Sequence, residues 1–194
     1  MINSFRPLML VPLLALGALI APSAVAAAPQ TEPGHLGFAT ELSWEAGGDR
    51  VGTVYFTDGS TRPIFAGDGW SAAVGAHYRL ADSPLDFCAL TGLKYLSVSG
   101  SNGNIKLTRE LVEVRADYFV THGIWIGAGP VWHTGIKVDA DGFGDNLKFS
   151  NALGATAKVG WRCLALTATS MRYKDDFGYH YSANSLGVTL MGRF

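Results

Sequence analysis

Three side chains near the end of the chain are of the types that acyl chemistry needs. His180 and Ser182 are separated by one residue, and Asp176 lies four residues before His180. A hydroxyl nucleophile, an imidazole base and a carboxylate to orient it are the parts of a hydrolytic triad. His180 and Ser182 also share a parity, so an extended chain presents both on one side. The alternative for this triplet is a polar loop end. His77 and His133 are the other chemically versatile side chains. They have no metal-ligand spacing, so interior hydrogen bonding is expected of them and no metal or cofactor is expected of the chain.

A second set of ionisable residues falls at alternate positions among apolar neighbours: Glu41, Glu45, Arg79, Asp86, Lys94, Glu113, Arg115, Asp117, Lys148, Lys158 and Arg172. The clearest stretch is Val112–Val120. Val112, Val114, Ala116, Tyr118 and Val120 take one face, and Glu113, Arg115 and Asp117 the other. Both signs occur in similar numbers, so the inward charges are expected to pair. Glu113, Arg115, Asp117, Arg79, Lys94 and Lys158 are the predicted network. Gly75, Gly92, Gly127, Gly129 and Gly154 share the inward face and would leave room for long side chains. The functional alternative is an ion or proton pathway.

These residues are positioned by strands, because their period is two. Strand one is predicted over Leu36–Ala46, two over Gly69–Leu80, three over Leu85–Ser99 and four over Ile105–Val120. Strand five follows over Ile124–Val138, with a bulge at Pro130, which cannot donate to a ladder. Strand six covers Leu147–Val159 with Phe149 outward, and a tight turn at Gly160-Trp161-Arg162 leads on. Strand seven covers Cys163–Tyr173, with Met171 and Tyr173 outside and Arg172 inside. Strand eight ends at Phe194, with Leu186, Val188 and Leu190 on the same face. Between strands one and two, Val51–Thr57 and Thr61–Ala66 flank Asp58-Gly59 and predict a hairpin extending those strands above the membrane. The alternative is a ten-stranded barrel.

Eight strands of this length suit a bilayer better than a soluble sandwich, since a membrane strand needs about 9–11 residues. The fold expected is all-β: an eight-stranded antiparallel transmembrane β-barrel. Trp44, Trp70, Trp132 and Phe149 at one end, and Tyr78, Phe87, Tyr118, Trp161 and Phe194 at the other, match two aromatic girdles. The alternating C-terminal stretch closing on Phe194 resembles the last strand of bacterial outer-membrane barrels, and the layout resembles small eight-stranded barrels of the OmpA/OmpX type. That resemblance implies that Phe194, Leu190, Val188 and Leu186 act as an assembly signal read by the barrel-assembly machinery. Gly192 departs from the pattern, where a larger residue is commoner. The His-x-Ser spacing is also similar to that of barrel enzymes that deacylate lipid A. Those carry the pair on the penultimate strand, where this chain reads Met171-Arg172-Tyr173-Lys174.

The N-terminus reads as a signal peptide over residues 1–26. Arg6 precedes the apolar run Leu8–Ile20, and Ala24-Val25-Ala26 offers a cleavage site. Residues 27–35 read as a periplasmic leader and 36–194 as the barrel, placing the protein in the outer membrane after export. A net charge of −1 gives no reason to expect nucleic acid as a partner. The expected partners are outer-membrane lipid and lipopolysaccharide, the assembly machinery, and a surface ligand reached through the 47–68 loop. The expected role is structural or surface-interactive with a plugged polar lumen. The alternatives are a lipid A-modifying acyl hydrolase and a narrow channel for small solutes. Cys88 and Cys163, on strands that would stand opposite each other, are expected to remain unbonded.

Overall fold

The period-two stretches form eight long strands: β1 (His35–Ala46), β2 (Gly69–Arg79), β3 (Leu85–Gly100), β4 (Gly103–Phe119), β5 (Ile124–Asp141), β6 (Ala152–Trp161), β7 (Leu164–Ser170) and β8 (Ser185–Arg193). A computed structural model describes residues 34–100, 103–121, 123–141 and 146–194. The signal-peptide reading of 1–26 and nearly all of the 27–35 leader lie outside these residues.

Each strand pairs antiparallel with the next, and β8 returns to β1, with Ala39 opposite Arg193 and Ala46 opposite Leu186. Reciprocal backbone hydrogen bonds between Phe38 and Phe194, 2.9 and 2.8 Å, extend the seam. The ring has no free edge, as a sheet surrounded by lipid requires. β2–β3 and β6–β7 are joined by tight turns whose non-glycine residues Asp82 (φ 48°) and Arg162 (φ 55°) take the left-handed conformation. The second of these turns is centred on Arg162-Cys163, because β6 runs on through Trp161.

Outside, the strands present Leu36, Phe38, Val74, Leu93, Val114, Ile126, Val159, Leu166, Leu186 and Leu190, all exposed. A soluble protein would not leave so many large apolar residues uncovered. Trp44, Trp70 and Tyr95 crown this belt at the loop end. Tyr78, Phe87, Tyr118, Trp161 and Phe194 rim the turn end. The exterior is that of a transmembrane barrel, and its parity follows the sequence reading on strands one to five and eight.

Several details differ. Pro130 keeps its register opposite Ala155, and the shift in β4–β5 pairing falls higher, between Thr108 and Glu110, where Gly135 (φ 58°) lets the chain bulge. Predicted strand six is broken. Leu147–Lys148 pair with β5, Phe149 bridges to Asp175, and β6 begins at Ala152. Phe149 is buried rather than outward, and Lys148 points out rather than in. Strand seven has the opposite parity at its top: Met171 and Tyr173 are buried and Arg172 is exposed. The β7–β8 hairpin continues past Asn184, whose side chain takes the Met171 amide at 2.9 Å, into a short ladder of Arg172–Lys174 with His180–Ser182. The loop hairpin, Arg50–Tyr55 with Thr61–Phe65, pairs only with itself and does not extend β1 and β2. It is folded inward, and no ten-stranded ring forms. Cys88 is buried on β3 and Cys163 is exposed in the turn before β7, across the barrel, and both are free.

Candidate functional site

The inward face stacks in layers from the turn end to the loop end. At the turn end, Trp125, Ala165 and Met191 pack together with Phe119. Trp125 donates its indole N–H to the Arg162 carbonyl at 3.1 Å, and Gly160 lies under its ring, where a Cβ would collide. Arg79 and Arg193 lie over Phe119 at 4.2 and 5.0 Å.

Above this layer is the ionic core. Arg115 is almost fully buried and grips Asp117 with Nε at 2.6 Å and Nη2 at 3.2 Å. Its Nη1 reaches Glu41 at 3.2 Å and also bonds Glu113. Lys158 bridges the same two glutamates, bonding Glu41 directly and Glu113 at 3.0 Å. Arg193 binds Asp117 at 2.6 Å and lies 3.5 Å from Asp86, whose carboxylate also faces His77 Nδ1 at 3.2 Å. A Cβ on Gly127 would strike Asp117, so this glycine makes the room expected of it. At Gly75, Gly92 and Gly129 the space is taken instead by the backbone of the neighbouring strand, and at Gly154 by the Ser170 carbonyl and Met171.

Next come hydroxyls: Ser43 to Thr189 at 2.7 Å and Thr189 to Thr167 at 2.6 Å. Lys94 then pairs with Glu45 at 3.0 Å, and Ser185 donates to the same carboxylate. Higher still, Arg109 donates to the carbonyls of Ala66 and Asp68, tying β4 to the base of the loop hairpin. His133 Nδ1 lies 2.6 Å from the Tyr173 hydroxyl.

The loop end is closed by apolar packing. Val54, Ile64 and Ala66 of the hairpin bury themselves against Val98, Ile105, Leu107, Ile136, Val138, Phe149, Met171 and Tyr173. The hairpin is therefore a lid over the lumen. Its tip stays polar and exposed. Asp58 accepts hydrogen bonds from the Ser60 hydroxyl and amide, which hold its carboxyl below the usual carboxylate range.

Of the predicted network, Glu113, Arg115, Asp117 and Lys158 meet in one cluster, Lys94 pairs separately with Glu45, and Arg79 stands apart on Phe119. The parity that reveals Glu113 and Arg115 also holds for Arg109, four and six residues earlier, and for Trp125, two before Gly127, and is the signal in the sequence for both. His180 and Ser182 lie on the outer continuation of the β8 ladder, on its outward parity. Among the described residues no hydrogen bond joins His180, Ser182 and Asp176. Ser182 Oγ accepts from the Asn184 amide at 3.4 Å, and its own amide donates to Asp49 at 2.7 Å. No group of histidines, cysteines and carboxylates is arranged to hold a metal among the described residues.

Fold and interior together define a transmembrane β-barrel with a filled, charge-paired lumen and a lidded mouth. No family model matches the chain, and no curated protein matches it. Among solved structures it is similar to Neisserial surface protein A, with 16% identity and a TM-score of 0.43 over 82% of this chain and 99% of that one. It is similar also to Ail, the attachment invasion locus protein of Yersinia pestis, solved with the heparin analogue sucrose octasulfate. There the identity is 10% and the TM-score 0.43, over 83% of this chain and all of that one.

Proposed function

We propose that this protein is an integral outer-membrane barrel whose role is structural or surface-interactive, not conductive. The observation that carries the reading is the lumen. Its carboxylates are bonded to Arg115, Lys158, Arg193 or Lys94 in mid-barrel, and an apolar lid seals the loop end. Eight strands leave an interior that side chains fill. What remains to meet a partner is the loop surface, led by the exposed tip of the 47–68 segment. Phe194, Leu190, Val188 and Leu186 serve as the assembly signal, and lipopolysaccharide is the surrounding lipid on the loop side. The test is twofold. Purified protein in planar bilayers should give no discrete conductance steps, and a tag inserted at Gly59 should be labelled on intact cells. Steady single-channel currents through the wild type would overturn the sealed-lumen reading, and a tag reached only after lysis would overturn the orientation.

A further inference from the structure

The lipid-facing wall is not uniform. Across β5 to β8 and on to β1 it is hollowed by an open groove of about 710 Å³. The hollow follows from register. Ala128, Ala157 and Ala168 stand directly opposite one another on adjacent strands, and the row continues through Leu186 to Ala46. Leu153 and Leu166 stand proud on either side of the alanines, 61% and 68% exposed, and Leu186 rises beyond Ala168 at 70%. The row crosses four interstrand gaps, a span of about 19 Å at about 4.8 Å each. Its deep end, Ala128, is the third outward residue of β5 from the turn side. Its mouth, at Ala46, Ser170 and Asn184, lies at the loop-side ends of β1, β7 and β8. The groove thus runs from mid-membrane to the outer interface, the path of an acyl chain.

Charge continues from the mouth. Arg172 is the next outward residue of the β7 hairpin after Ser170, and Lys174 the next after that. The Ser150 amide donates to the Lys174 carbonyl at 2.8 Å, bringing in Lys148, which stands directly opposite Lys137. All four side chains are exposed. Like charges directly opposed in a sheet are unfavourable unless something lies between them. Every ion pair among the described residues is inside the barrel, so none of the four is ion-paired with a described carboxylate, although Asp139 and Asp141 share the outward parity of Lys137 and the Phe149–Asp175 bridge sets Asp176 opposite Lys148. A cation-rich strip above an acyl-sized groove is complementary to a phosphorylated, acylated lipid.

Resting on the outer-membrane reading above, we infer that this groove and strip bind one molecule of lipid A, an acyl chain along the alanine row and its phosphates on Arg172, Lys174, Lys148 and Lys137. Four cations in a row call for more than the one phosphate of a phospholipid. A second copy of the chain is disfavoured, because a two-fold contact sets the same strip against itself.

Native mass spectrometry of the full barrel in detergent tests this. The probes are bisphosphorylated lipid A, its dephosphorylated form and phosphatidylethanolamine. Wild type should hold lipid A at least about tenfold more tightly than either other lipid, a difference of about 1.4 kcal/mol. Ala157→Phe with Ala168→Phe, which fills the groove from the lipid side, should lose about that factor. Arg172→Glu with Lys174→Glu should abolish the preference for phosphate, and Ala89→Phe on the opposite wall should change nothing. Wild-type affinity in the groove-filled variant, equal binding of the dephosphorylated lipid, or a wild-type dimer that the filled variant abolishes would each overturn the inference. Heat-modifiable migration of every variant establishes that the barrel is folded. A wild type soluble without detergent would instead refute the membrane reading itself.

Discussion

Replacing Arg115 by methionine is the most informative perturbation of the interior. The core around it holds four carboxylates, Glu41, Glu113, Asp117 and Asp86, against three basic side chains, Arg115, Lys158 and Arg193. Arg115 alone contacts three of the four acids. Without it, Asp117 keeps Arg193, while Glu41 and Glu113 must share Lys158. Removing one partner from a buried ion cluster costs about 3–5 kcal/mol, because charge is left uncompensated in a medium that cannot solvate it. With a urea dependence of about 2 kcal/mol per molar, the unfolding midpoint in detergent should fall by about 2 M. Tryptophan emission is the natural probe, since Arg115 lies 5.5 Å from the Trp125 ring. Adding Glu113→Gln to Arg115→Met removes one stranded charge and should recover part of the loss. Arg79→Met is the control, for Arg79 touches the Phe119 ring and no carboxylate among the described residues. A midpoint unchanged in Arg115→Met, or lowered equally in Arg79→Met, would refute the account of the core.

Three further outcomes follow from the same geometry. Val114→Arg, an exposed position midway along β4, should cost about 2–4 kcal/mol in a bilayer; measured as partitioning between folded and unfolded forms in lipid vesicles, a neutral effect would mean this face does not meet lipid. Ile64→Ala removes an anchor of the lid from its buried seat and should cost about 2–5 kcal/mol locally. Limited proteolysis should then cut the 47–68 segment faster while the barrel keeps its heat-modifiable migration, and loss of both together would show that lid and barrel are one cooperative unit. Deleting Phe194 removes the backbone pair with Phe38 as well as the aromatic end. Its level in isolated outer membranes should fall, and an unchanged level would count against its part in assembly.

How far the fold could be read from the sequence depended on what lies outside each strand. Between the aromatic girdles, lipid demands apolar side chains on one face, and the closed ring leaves the other face for charges. Val114 beside Arg115 then sorts without ambiguity. Above the loop-side girdle the rule inverts. There the outside is water, so Lys106, Lys137 and Arg172 point outward, while the inside is closed by the lid and becomes apolar. Ile105, Leu107, Ile136, Met171 and Tyr173 all point into that plug. Assigning outward faces by apolarity therefore succeeds for β1 through β5 within the belt and fails at Phe149, Met171 and Tyr173. Tyr173 illustrates why no local pattern would have placed it. Its ring takes Phe149 at 5.8 Å from a broken strand, its hydroxyl meets His133 two strands away in the ring, and Arg109 lies 5.9 Å above its face. Those contacts sit in a mouth that the inward-folded hairpin fills and whose base Arg109 holds, an arrangement of the whole barrel mouth and not of the stretch from Cys163 to Tyr173.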